Sequence, residues 1–197
     1  MKYPKFFNNI DSIVLQDPLS NFLGSLENGI VEFNYLDVVK SAGHSCPTVA
    51  GAYIMSLVGL KSLYKDELPI RGGVSISFKE SSSEGVAGVI ANVVTQITGA
   101  TETFGFKGLN GNFARDNLMS FNANIDSSIK LTRLDNNQTI ELIYNPSVCP
   151  PNPKQSELMG KIMQGHATDE EKKEFGILWQ QRVEDIFNNI EKVISIK

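Results

Sequence analysis

The longest apolar run of this 197-residue chain lies near Ala50 to Leu60, and Cys46-Pro47 stands at its head. Proline is tolerated at the first position of a helix, where a backbone N–H would have no partner in any case. The pair therefore predicts a helix from Pro47 to about Leu63 with Cys46 at its N-cap. Val49, Tyr53, Leu57 and Leu60 fall on one stripe of that helix. Ala50, Gly51 and Ala52 are small enough to let another backbone come close. A glycine inside a helix costs about 1 kcal/mol relative to alanine, so Gly51 points to close packing or to a ligand. Interrupted by Ser56 and Gly59, the run falls short of the roughly 20 apolar residues that span a bilayer, and no membrane association is expected.

The other elements follow from periodicity and punctuation. Val74 to Phe78 alternates with period two, as a half-buried strand does. Ser81 and Glu84 have capping-box spacing ahead of Val86, Ile90, Val93, Val94 and Ile97, which recur at helical intervals. Three short strands are predicted near 117–124, 128–134 and 139–144, the last two joined by a turn over Asp135-Asn136-Asn137-Gln138. A second capping box, Thr168 with Glu171, opens a long final helix carrying Phe175, Leu178, Trp179, Val183, Ile186, Phe187 and Ile190. Upstream, Asp17-Pro18-Leu19-Ser20 reads as a turn, Phe22 to Leu26 as helix, Asn28-Gly29 as a stop, Ile30 to Phe33 as a strand and Tyr35 to Ser41 as helical turns.

The order is that of a single α+β domain: a helix-strand-helix-three-strand core over about 35–145 with a mixed or antiparallel sheet. An N-terminal extension precedes it. A proline-rich connector over 145–153 and a helical tail over 154–197 follow. The aromatic stripe of the final helix and the small-residue face at Ala50-Gly51-Ala52 offer more apolar surface than one sheet face covers, so a homodimer is expected.

Composition excludes some functions. The net charge is −4 and no stripe of Lys and Arg forms, which argues against a nucleic-acid surface. Met1 to Asn9 lacks the long apolar segment of a secretory signal, and a cytoplasmic location is expected. Two cysteines make no disulfide framework, and a Cys46–Cys149 bridge is not expected in a reducing compartment.

The candidate chemistry gathers at Gly43-His44-Ser45-Cys46-Pro47. Free amides and the positive dipole end of a helix favour a thiolate at its N-cap, and a thiolate is both nucleophile and metal ligand. His44 adds an imidazole two residues away, so the pair makes half of a zinc-type shell. Read without chemistry, Cys46 is a small buried hydrophobe and His44 a turn residue bonded to backbone. Cys149, held in the stiff Asn145 to Pro153 loop, is a candidate third ligand, with a glutamate as the alternative. Farther on, the glycine-rich stretch from Gly99 to Asn112, with Lys107 and Arg115, is a candidate cradle for a small anion, although it lacks the spacing of a P-loop or a dinucleotide fold. Glu80, Glu84 and His166 are candidate proton carriers.

Asp37 to Gly51 resembles the opening motif of the FmdE family, named for a component of formylmethanofuran dehydrogenase, in which Gly-His-x-Cys-Pro precedes a long helix. Thr98-Gly99-Ala100-Thr101 is similar to the family's Thr-Gly-Cys-Thr, and Gly165 to Glu171 to its Gly-x-Ala-Thr-x-Glu-Glu turn. The likeness extends over most of the chain beyond residue 35. Ala100 departs from it, standing where the family usually has cysteine, and Gly88-Val89 carries none where the family often has another. The resemblance implies a metal-binding protein, accessory to a metalloenzyme or of undefined role, with His44 and Cys46 holding one divalent transition metal. Zinc is the first choice, with nickel and copper as alternatives. The molybdenum-dependent dehydrogenase activity is not carried over. A small enzyme remains the other reading, in which metal-bound water or the Cys46 thiolate attacks an anionic substrate.

Overall fold

A computed structural model describes residues 1–197. In chain order the elements are β1 (Ile13–Gln16), α1 (Pro18–Phe22), β2 (Ile30–Phe33), α2 (Tyr35–Ala42), α3 (Pro47–Tyr64), β3 (Val74–Phe78), α4 (Ala87–Thr98), β4 (Met119–Ser120), β5 (Ile129–Arg133), β6 (Thr139–Tyr144), α5 (Lys154–Met163), α6 (Asp169–Phe187), α7 (Ile190–Val193) and β7 (Ile194–Ile196). The class is α+β with a mixed sheet, in the order β4-β3-β5-β6-β7. Only β3 and β4 run parallel, joined across α4; the remaining neighbours are antiparallel. β1 and β2 form a separate antiparallel pair.

Local chemistry accounts for most boundaries. Asn34 and Asp37 form a reciprocal capping box on α2, and Gly43, at φ +78°, ends that helix in the left-handed conformation that costs glycine nothing. Cys46 caps α3 with Pro47 at its first position, and Thr168 with Glu171 caps α6. The caps of α3 and α6 are where the residue patterns place them.

α3 lies on the sheet through its glycines. The Gly51 backbone meets the ring of Tyr144, and Gly59 meets the side chains of Leu131 and Leu142 on β5 and β6. Close packing is thus the reason for Gly51. Around this contact the strands send alternate residues inward: Val74, Ile76, Phe78, Ile129, Leu131 and Leu142 are buried. Ser75 pairs with Thr132 and Ser77 with Lys130 on the alternate positions, as in an antiparallel sheet with one face toward solvent. No helix is long and apolar enough to cross a membrane.

Several boundaries differ from the sequence reading. Asp17-Pro18-Leu19-Ser20 is the first turn of α1 itself, because the Asp17 carboxylate accepts from the amides of Leu19 and Ser20. Ser81 and Glu84 close only a turn, and α4 begins at Ala87 after Gly85 adopts φ +53°. The strand expected over 117–124 shrinks to β4, since Asn117 and Asn122 on either side hold positive φ. The tail is no appendage: β7 returns to pair with β6, so the C-terminal segment completes the sheet. Both surfaces on which a homodimer was expected are used inside the chain. Val183 and Ile186 are buried, Trp179 and Phe187 pack on the core, and Ala50 and Ala52 are inaccessible.

A buried ionic cluster ties the N-terminal segment to this core. Asp17, 6% exposed, receives Arg71 Nη1 at 3.0 Å and Arg115 Nη2 at 2.6 Å. Arg71 also donates to the carbonyls of Gln96 and Ile97 at the C-terminal end of α4, where a cation is favoured. Burial raises the Asp17 pKa, but the hydrogen bond from Arg71, the Ser20 amide and the two guanidinium charges outweigh it and hold the carboxyl below the usual range. The cluster therefore contributes stability above the ordinary carboxylate range and loses it as pH falls through the lowered value.

Asp17→Asn leaves two guanidinium groups without their counter-charge, and is expected to cost about 3–5 kcal/mol in urea unfolding. A loss below about 1 kcal/mol would show the cluster to be dispensable. Gly51→Ala drives a methyl into the Tyr144 ring and is expected to cost roughly 1–3 kcal/mol in the same measurement, although alanine is the better helix former.

Candidate functional site

The turn between α2 and α3 is held by three side chains. Its central residue, Ser45, offers its carbonyl to Trp179 Nε1 at 3.0 Å and Gln180 Nε2 at 3.2 Å, both from α6. The Ser45 hydroxyl lies 3.0 Å from the Tyr35 hydroxyl. Tyr35 is wholly buried and packs edge-on against Phe7, Tyr53 and Phe187, which fixes the floor beneath the turn.

His44 is exposed, and its Nδ1 lies 3.0 Å from the carbonyl oxygen of Ala42. A carbonyl only accepts, so Nδ1 carries a proton, and in the neutral ring Nε2 is the nitrogen with the lone pair. The ring borders a groove of about 530 Å³ between α2 and α4, together with Asn92, Thr95 and Gln96. Cys46 is half-buried and extended, at φ −150° and ψ 168°, with Sγ accepting the Val49 amide at 3.4 Å. Nearby, burial pushes the Tyr35 and Tyr144 phenols well above the usual tyrosine range, and Tyr144 donates to the carbonyl of Pro47 at 2.6 Å.

Cys149 is turned away from this turn. It is buried, with Sγ 3.6 Å from the carbonyl oxygen of Asp185 on α6, while Arg182 Nε donates to the Cys149 carbonyl at 2.8 Å. Burial, then the Asp185 carboxylate, pushes its thiol up, against the opposing charges of Arg182 and Lys192. Both cysteines are free. No three His, Cys, Asp or Glu side chains come together anywhere in the chain, so Cys149 does not complete a shell with His44 and Cys46.

The other sequence candidates are dispersed. Arg115, a candidate for the anion cradle, is 6% exposed and paired with Asp17, packed against Gly72 and Gly99. Lys107 lies on the exposed part of the loop without an ion pair, so the two do not form one cradle. Thr98-Gly99-Ala100-Thr101 serves the fold. Gly99, at φ +77°, ends α4, Ala100 is fully buried, and Thr101 Oγ1 donates to the Arg115 carbonyl at 2.7 Å. Glu84 is occupied by the Ser81 amide, and His166 sits in the exposed turn between α5 and α6.

Among the cavities that escaped the sequence reading, one lies beside the start of α3. A cleft of about 340 Å³ opens between the first turns of α3 and α4 and the sheet, with Thr48, Lys79, Glu80, Ser128 and Tyr144 among its walls. Its only trace in the sequence is the close succession of a strand end and a helix start around Glu80, where sites often sit. No protein-family model matches the chain, and no curated protein matches it.

The two thiols should differ sharply toward a water-soluble disulfide reagent at neutral pH. One thiol per folded chain is expected to react, that of Cys46, with Cys149 reacting only on unfolding. Rapid labelling that persists in Cys46→Ser would contradict this placement.

Proposed function

We propose that this chain binds a divalent transition-metal ion at the α2–α3 turn, with His44 and Cys46 as its donors. The observation that supports the reading is the contact of His44 Nδ1 with the Ala42 carbonyl, taken together with an exposed ring and a free Cys46 thiol two residues on. Metal-ligating histidines are usually held by such a bond, which fixes the tautomer and leaves Nε2 for the ion. Cys46 supplies sulfur, and the hydrogen bond that its Sγ accepts from the Val49 N–H is compatible with ligation, because a thiolate sulfur retains further lone pairs.

These residues fit an open site and not a closed one. With Cys149 turned to α6 and no group of three acidic, cysteine or histidine side chains in the chain, His44 and Cys46 supply at most two donors, and the remaining positions would belong to water or an added small molecule. Open positions are the mark of exchangeable or catalytic sites. Held there, the ion supplies a Lewis acid on a turn that α6 and Tyr35 keep in place. Mixed nitrogen and sulfur donors suit zinc first, and nickel and copper next. The likeness of Asp37–Gly51 to the FmdE opening motif supports the same assignment.

Protein purified without a metal-affinity tag should retain up to one equivalent of metal by elemental analysis. Cobalt(II) added to the metal-free protein should give a sulfur-to-metal charge-transfer band. His44→Ala and Cys46→Ser should each remove both signals without unfolding the domain, serine being a better N-cap than cysteine. Undiminished metal content in the double variant would return both residues to purely structural roles.

A further inference from the structure

We propose that the outward face of α6 is a docking surface for a second copy of this chain, the two helices crossing antiparallel about a two-fold axis. Six residues of α6, Lys173, Gly176, Ile177, Gln180, Gln181 and Glu184, line an open groove of about 610 Å³ whose far wall is the N-terminal turn at Pro4 to Phe6. Their spacing of three, one, three, one and three residues places all six on one helical face. That spacing also reads the same from either end. Two such faces laid antiparallel about the midpoint between residues 178 and 179 therefore match position for position. Lys173 falls opposite Glu184 of the partner subunit, Gly176 opposite Gln181 of the partner subunit, and Ile177 opposite the aliphatic stem of Gln180 of the partner subunit, whose Nε2 stays on the Ser45 carbonyl.

The charges agree with this pairing. Lys154, Lys161 and Lys172 of the same helical hairpin all have carboxylate partners within the chain. Lys173 and Glu184 have no ion-pair partner within the chain, nor has Lys5 on the far wall, and a two-fold contact matches each of the two α6 charges with its opposite, twice over. An isologous interface requires this kind of self-complementarity, which an unrelated partner would have no reason to share.

Gly176 points the same way. It stands in the middle of a 19-residue helix, where glycine costs about 1 kcal/mol relative to alanine, and no atom lies within 4 Å of where its Cβ would be. Gly51 and Gly59 have reasons inside the chain; Gly176 has none, like Gly160 in α5, but Gly176 alone of the two lies on the groove. A long side chain laid over it by a second helix supplies one, since missing side chains let helix axes approach. Beside it, Ile177 is 58% exposed. The face is only about 16 Å long at the rise of an α-helix, so the contact is of the weak, concentration-dependent class.

Sedimentation equilibrium of the full chain over a concentration series tests this. The wild type should pass from monomer to dimer as concentration rises. Lys173→Glu and Glu184→Lys should each raise the dimer dissociation constant about tenfold, because each places like charges together at two symmetric points. The double reversal should restore dimerisation, and Gly176→Leu should abolish it while circular dichroism stays unchanged. Three results would overturn the proposal: a monomer at every concentration, a dimer indifferent to the single reversals, or a double variant no better than the singles.

Discussion

The burial of α3 against the sheet is the constraint on which the remaining structure depends. Its glycines bring the helix axis close to β5 and β6, so that Tyr144 lies against Gly51 and its hydroxyl reaches the Pro47 carbonyl. That one side chain links the last strand of the central hairpin to the first turn of the helix that carries Cys46. A bulkier residue at position 51 would lift the helix start away from the sheet, and with it the turn that holds His44. Close packing at residues 51 and 59 and the placement of the candidate donors are therefore one physical arrangement.

Control of the turn comes from the far end of the chain. Trp179 and Gln180, more than a hundred residues downstream, both donate to the Ser45 carbonyl, and Phe187 packs on the tyrosine beneath it. A helix N-terminus leaves amides without partners, and the residue before it would otherwise be held only by water. Here α6 supplies the restraint, and β7 anchors the end of the tail by pairing with β6. The buried Asp17, Arg71 and Arg115 cluster does the corresponding work at the C-terminal end of α4, so both chain extensions brace the helices that border the turn.

How much of this was legible in the sequence depended on the range of the interaction. Cys46-Pro47, the Thr168 and Glu171 box and the alternation of Val74 to Phe78 are local signals, and each sits where it was read. Ser81 and Glu84 misled because a capping spacing is satisfied equally by an isolated turn, and Gly85 then broke the chain direction. Arg115 misled for a different reason. A cation in a glycine-rich loop looks available until its partner is known, and Asp17 lies 98 residues away. The cleft beside Thr48 and Tyr144 has no compact motif at all, since its walls come from separated segments of the chain.

The chain's sequence by itself determined the class of fold, the caps that start and stop its principal helices, and the presence of an imidazole and a thiol beside a helix N-terminus. Those follow from backbone geometry and side-chain periodicity, which act over a few residues. Only the tertiary structure decided which of the candidate groups remain available for chemistry. It consumed Arg115 in an ion pair and turned Cys149 into α6, while leaving His44 exposed with its Nε2 free. Availability depends on burial and on the partner each polar group finds, and those partners arrive from residues that only folding brings near.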